Sequence, residues 1–86
     1  MFRGVERFLN DGGQLTVWPS KHSDKQLALA YLITKFSNEQ TYTEQQVNDI
    51  LKAWHTFSDW PLLRRSLVDG GYLTRDRNGY AYQRVV

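Results

Sequence analysis

Apolar residues recur along this chain with two different periods, and the changes of period delimit its elements. Leu29, Leu32, Ile33 and Phe36 stand at i, i+3, i+4 and i+7, the spacing that gathers side chains on one face of an α-helix. That stripe predicts a helix over residues 24–36, capped by Ser23 or Asp24. Val47, Ile50, Leu51 and Trp54 repeat the stripe in a second helix over 44–55. Its start is marked by Thr43-Glu44-Gln45-Gln46, in which the Thr43 hydroxyl accepts from the amide of Gln46 and the Gln46 side chain returns to the cap. Glu44, Asn48 and Lys52 fall on the far face and are expected to meet water. A third helix, residues 59–69, opens at Ser58 or Asp59, accepts Pro61 in its first turn and stops at Gly70-Gly71. It turns Trp60, Leu63 and Leu67 inward with Val68 beside them, and Arg65, Ser66 and Asp69 outward, leaving Arg64 on the border.

Elsewhere the period is two. Leu15 to Trp18 alternates like a strand until Pro19, after an amphipathic piece from Val5 to Leu9 and the turn residues Asn10-Asp11-Gly12-Gly13. Phe8, Leu15, Val17 and Trp18 of this segment are expected to cover Leu27 and Tyr31, which lie off the main stripe of the first helix. Thr41-Tyr42 adds one or two residues of strand. The remainder, Tyr72 to Val86, reads as a hairpin turning at Asp76-Arg77-Asn78-Gly79, because Asn-Gly is a strong hairpin signal. A loop of two or four residues puts Leu73 and Arg75 on the face of Tyr80 and Tyr82; a loop of three gives those places to Tyr72 and Thr74. The fold class that follows is α+β, winged helix-turn-helix-like, with three helices plus a C-terminal β-hairpin. One domain spans 1–86, with an N-terminal helix/strand appendage over 1–22 and the helix-helix-helix-hairpin unit over 23–86.

Composition narrows the classes of function. Eighty-six residues make one modest core, and an apolar share of 41% with 14% aromatic is too high for a disordered tail. Without cysteine there is neither a disulfide framework nor a thiolate metal site. The longest apolar run, Leu27 to Ile33, is too short to span a bilayer, and residues 1–7 lack a signal-peptide core, so a cytoplasmic protein without membrane contact is expected. Net charge is only +2, yet five arginines face two aspartates from Arg64 onward, whereas the first 63 residues are slightly acidic. Any electrostatic footprint for a polyanion therefore lies in the carboxy-terminal third.

The stretch Tyr42-Thr43-Glu44-Gln45-Gln46-Val47-Asn48, then Asp59, Leu63-Arg64-Arg65-Ser66-Leu67-Val68-Asp69, Tyr72-Leu73, Arg75, Gly79 and Tyr82, resembles the bacterial family "domain of unknown function 2087". Asp11-Gly12 and Pro19-Ser20-Lys21 extend the resemblance towards the amino terminus, and Asn78 stands where the family pattern more often has Asp. The resemblance implies no biochemical activity. It does imply an association with transcriptional regulators, often beside a separate helix-turn-helix domain.

Catalysis has little foothold. Glu39, Glu44, Asp49 and Asp59 fall at helix starts and solvated faces, and no nucleophile is paired with a base. His22 and His55 stand far apart without ligand spacing, and no glycine-rich phosphate loop is present, so no metal or cofactor is expected. The chemistry on offer is cationic. Arg64 and Arg65 can contact a phosphate or a guanine edge, but Arg65 can equally pair with Asp69, and Arg64 with Asp59 or the face of Trp60. Arg75 and Arg77 on the hairpin have less core to support and favour an anion. Tyr72, Tyr80 and Tyr82 are better read as cover for the helices than as a base-stacking platform. The expectation is a DNA-associated transcriptional-regulator module that touches duplex DNA through Arg64, Arg65 and Ser66 of the third helix and Arg75 and Arg77 of the wing. The alternative is an accessory domain that senses an effector or binds a helix-turn-helix regulator protein, with the arginines structural and Trp18, Trp60 or the amino-terminal segment at the contact.

Overall fold

The capping box at Thr43 forms as the spacing predicts: Thr43 Oγ1 accepts from the Gln46 amide at 3.1 Å and Gln46 Oε1 accepts from the Thr43 amide at 2.9 Å. This cap opens helix α2, Glu44–Trp54, in a computed structural model that describes residues 4–78 and 81–86. Helix α1 precedes it at His22–Ile33 and α3 follows at Trp60–Asp69; short strands lie at Thr41–Tyr42 (β1), Leu73–Arg75 (β2) and Tyr82–Arg84 (β3). The architecture is α+β, three helices against a three-stranded antiparallel sheet of order β1-β3-β2.

Helix α1 departs from its expected bounds at both ends. Its cap position is Lys21, with no side-chain cap, and Asp24 instead takes a 2.6 Å ion pair from Arg7. At the other end Thr34, Lys35 and Phe36 donate to carbonyls three residues back, a tightened turn that closes the helix at Ile33 and still buries Phe36. The stripe thus keeps its apolar role to the last residue, while the regular helix stops three residues sooner.

The amino-terminal segment does cover α1, by different means than alternation suggested. Glu6–Phe8 is a 3₁₀ turn, and Val5 and Leu15 are fully buried. Leu15 makes only isolated bridges to Leu9 and His55, and its amide and carbonyl bond Trp54 and Thr56 at 2.8 and 3.0 Å. The expected Leu15–Trp18 strand is therefore absent, because the end of α2 takes the backbone groups that a strand partner would use. Val17 is 47% exposed, whereas Trp18 packs against the core. The Tyr31 hydroxyl donates to the Gly13 carbonyl at 2.7 Å, and with φ +80° and that hydroxyl 3.0 Å from any added Cβ, Gly13 has no easy replacement.

The α2–α3 turn is built on a buried histidine. His55 Nδ1 meets the Leu51 carbonyl and Nε2 accepts from the Asp59 amide at 2.9 Å, an arrangement that implies the Nδ1-protonated tautomer. Asp59 then caps α3 by accepting from Leu62 at 3.3 Å. At its far end α3 closes with Gly71 at φ +81°, as Gly71 donates to Val68 and Tyr72 to Leu67. These two bonds are the Schellman pattern that glycine makes cheap, and they aim the chain into β2.

The hairpin pairs Leu73 with Arg84, Thr74 with Gln83 and Arg75 with Tyr82. This register is one of those an even-length loop produces, and it selects the arrangement with Leu73, Arg75 and Tyr82 on one face. The expected turn at Asn78-Gly79 and the placement of Tyr80 lie outside the described residues. Leu73, Tyr82 and Tyr42 are buried on that face, against Leu63, Leu67, Val47 and Leu51 of the helices, which are wholly buried too.

Candidate nucleic-acid interface

Neighbouring residues on a helix point about 100° apart, so Arg64 and Arg65 have different fates on α3. Arg64 turns towards α2. Its Nη1 donates to Asn48 Oδ1, its Nε lies 3.8 Å from Glu44 Oε1, and its side chain is 22% exposed. The same Glu44 oxygen accepts from the Tyr82 hydroxyl at 3.1 Å, so one carboxylate joins α2, α3 and the sheet. Asn48 and Glu44 were expected to face water; Glu44 stays half exposed yet also bonds Tyr82, while Asn48 is partly buried where Arg64 reaches it from α3. The anticipated partners of Arg64 are otherwise engaged, since Asp59 caps α3 and the Trp60 ring carries the Lys52 ammonium at 4.4 Å.

Arg65 is exposed, and among the described residues no ion pair joins it to Asp69. Arg75 sits at the rim of the helix-facing side of the sheet, directly opposite Tyr82. Pairing register therefore brings it towards α3, and Arg64, Arg65 and Arg75 line one open cleft of about 390 Å³ between helix and hairpin. Leu62 and Val68 supply apolar lining, and Asp69 and the buried Tyr82 also border the cleft. Three of the five sequence-predicted residues thus meet. Arg77 is exposed in the turn beyond β2 and does not line the cleft. Ser66 is separated from the arginines: it lines a second groove of about 230 Å³ with Trp18, His22 and Lys25.

Partnering distinguishes these cations from the rest. Arg7 pairs with Asp24 and Arg84 donates to the Phe36 carbonyl at 2.9 Å. Lys25, Lys35 and Lys52 lie over the rings of Trp18, Trp54 and Trp60. Among the described residues, the lysines and arginines left without such a partner are Lys21, Arg65, Arg75 and Arg77. Sequence reasoning missed Glu44 and Asn48 as the groups that hold Arg64, and Tyr82 as the donor to Glu44, because helical periodicity shows which face is apolar and not which polar flank a neighbouring element will cover.

Among the described residues no group of three or more His, Cys, Asp or Glu could hold a metal, and both ring nitrogens of His55 are engaged by backbone. No described helix is long and apolar enough to cross a membrane. Comparison with curated proteins and with solved structures gave no match. A match to residues 14–84, nearly the whole chain, places it in a family described as "Uncharacterized protein conserved in bacteria (DUF2087)", and the chain belongs to that family.

Proposed function

We propose that this protein is a winged-helix-like, DNA-associated regulatory module that meets the backbone of duplex DNA through α3 and the hairpin. The observation that carries the reading is the set of guanidiniums without a partner among the described residues: Arg65 on α3, Arg75 on β2 and Arg77 beyond it, in a chain whose other described cations, save Lys21, are engaged internally. Free guanidiniums on two adjacent elements suit phosphate contacts, which set affinity and register without reading sequence. The element order helix, strand, helix, helix, hairpin supports the winged-helix reading, with α2 and α3 as the helix-turn-helix pair. In this reading Arg64 positions α3 against α2 and the sheet, and Ser66 has no part in the contact. The protein is a binding module and not an enzyme, acting in the bacterial cytoplasm.

Anisotropy of a labelled duplex titrated with the protein at several salt concentrations tests the proposal. Weak binding that falls steeply with salt supports it. Absence of binding at low salt returns the function to the accessory reading, with a regulator protein as partner. That second reading draws its support from Glu44, 3.8 Å from Arg64, and from Asp69 in the cleft lining, whose charges oppose those of the arginines.

A further inference from the structure

We infer that the cleft between α3 and the hairpin is also a binding pocket for a small organic monoanion, a carboxylate carried on a flat apolar body. The pocket itself stands on the geometry alone; that its ligand displaces DNA rests on the proposal above.

A surface made only for a duplex backbone needs protruding cations. Here the cations flank a concavity. Its volume of about 390 Å³ is at the small end of ligand pockets, which run from roughly 300 to 1,000 Å³. Arg65 and Arg75 enter from different elements and hold no internal partner among the described residues, so each keeps a planar fork of donors for an oxyanion. Arg64 is already fixed by Asn48 and Glu44, and binding need not order it. Half-buried Leu62 and Val68 add apolar lining to the same cleft, surface that hydrates poorly and welcomes an apolar body.

Charge sets the valence of the ligand. Three arginines line the cleft; Glu44 offsets part of the charge of Arg64, and Asp69 in the same lining adds a second negative charge, which favours a ligand with one negative charge over one with two. Two further grooves lack this combination. The groove beside Trp18 has no arginine, and the shallow one between Gln40 and Ile50 has Asp49 and no cation. Because the ligand would occupy Arg65 and Arg75, it would compete with phosphates for the same two forks. The domain would then release DNA when the anion accumulates.

Benzoate is the test probe, with inorganic phosphate as the comparison lacking an apolar body. The 86-residue chain is titrated by amide NMR, alongside Arg65→Gln, Arg75→Gln and the control Arg77→Gln, which changes a guanidinium outside the cleft. The expected result is saturation at one site in the millimolar range, with shifts centred on Leu62, Arg65, Val68 and Arg75. Arg65→Gln and Arg75→Gln should each weaken it about tenfold, the worth of one charge-assisted contact, while Arg77→Gln leaves it unchanged. Phosphate should bind at least about tenfold more weakly than benzoate, since burial of the ring is absent. Failure of benzoate to saturate, equal affinity for phosphate, or equal loss in Arg77→Gln would each overturn the pocket. Duplex binding measured on the same samples separates the two claims: benzoate binding without DNA binding sinks the DNA reading alone, and the converse sinks the pocket alone.

Discussion

Replacing Arg64 with alanine should destabilise the fold by about 2 kcal/mol, and the structure shows where that figure arises. The bond from Nη1 to Asn48 is charge-assisted and three-quarters shielded from water, a type that contributes roughly 1.5–3 kcal/mol net. The Glu44 contact is long at 3.8 Å, and Glu44 is half exposed, so it adds only about 0–1 kcal/mol. For a domain this size a loss of about 2 kcal/mol lowers Tm by roughly 10 °C. Urea denaturation of the wild type, Arg64→Ala, Asn48→Ala and the double variant measures the coupling directly, and it should come to about 1 kcal/mol. Arg64→Lys should recover less than half of the loss, because one ammonium cannot reach both Asn48 and Glu44 as the guanidinium does. Molar salt should erase the small effect of Glu44→Gln and leave that of Arg64→Ala largely intact. A loss below about 0.5 kcal/mol for Arg64→Ala, with no coupling to Asn48, would refute the assignment of Arg64 to the scaffold.

Leu51→Ala and Leu67→Ala each remove a fully buried side chain from the meeting of α2, α3 and the sheet, and each should cost about 2–5 kcal/mol in chemical denaturation. A change under about 0.5 kcal/mol at both would mean that neither lines the core. Ser58 holds φ 55° in the α2–α3 turn, a conformation that costs an L-residue about 1–2 kcal/mol, so Ser58→Gly should be neutral or stabilise by up to about 1 kcal/mol after its own entropic cost. Ser58→Val at the same place should destabilise, and thermal melts showing the reverse order would contradict the turn geometry.

The elements were legible where local chemistry decides them. Thr43 and Gln46, Asp59 with Pro61, and Gly70-Gly71 start or stop α2 and α3 with bonds that span a few residues, and the structure contains each of them. The hairpin register became readable only through Arg75 opposite Tyr82, since the same residues suit two loop lengths. Errors gathered where a distant segment competes for a group. Leu15 alternates like a strand, yet the end of α2 takes its backbone; Asn48 falls on the polar face of α2, yet Arg64 reaches it from sixteen residues away. Ser66 follows Arg65 in sequence and faces another groove, because one step along a helix turns the side chain by about 100°. Arg75 and the α3 arginines stand out in the sequence by charge and by their places on the third helix and the hairpin; their convergence on one cleft depends on strand pairing that no single sequence displays.

Duplex binding by the Arg65→Gln/Arg77→Gln double variant tests the central claim most directly. Both side chains are exposed and without internal partners among the described residues, so the variant should fold as the wild type does. Each phosphate neutralised releases condensed counterions, and log K falls with log salt concentration by about 0.9 per contact. Losing two contacts should therefore flatten the slope by nearly two units, at every duplex sequence alike. An unchanged slope and affinity in the double variant, or no binding by the wild type at low salt, would contradict a DNA-contacting role for α3 and the hairpin.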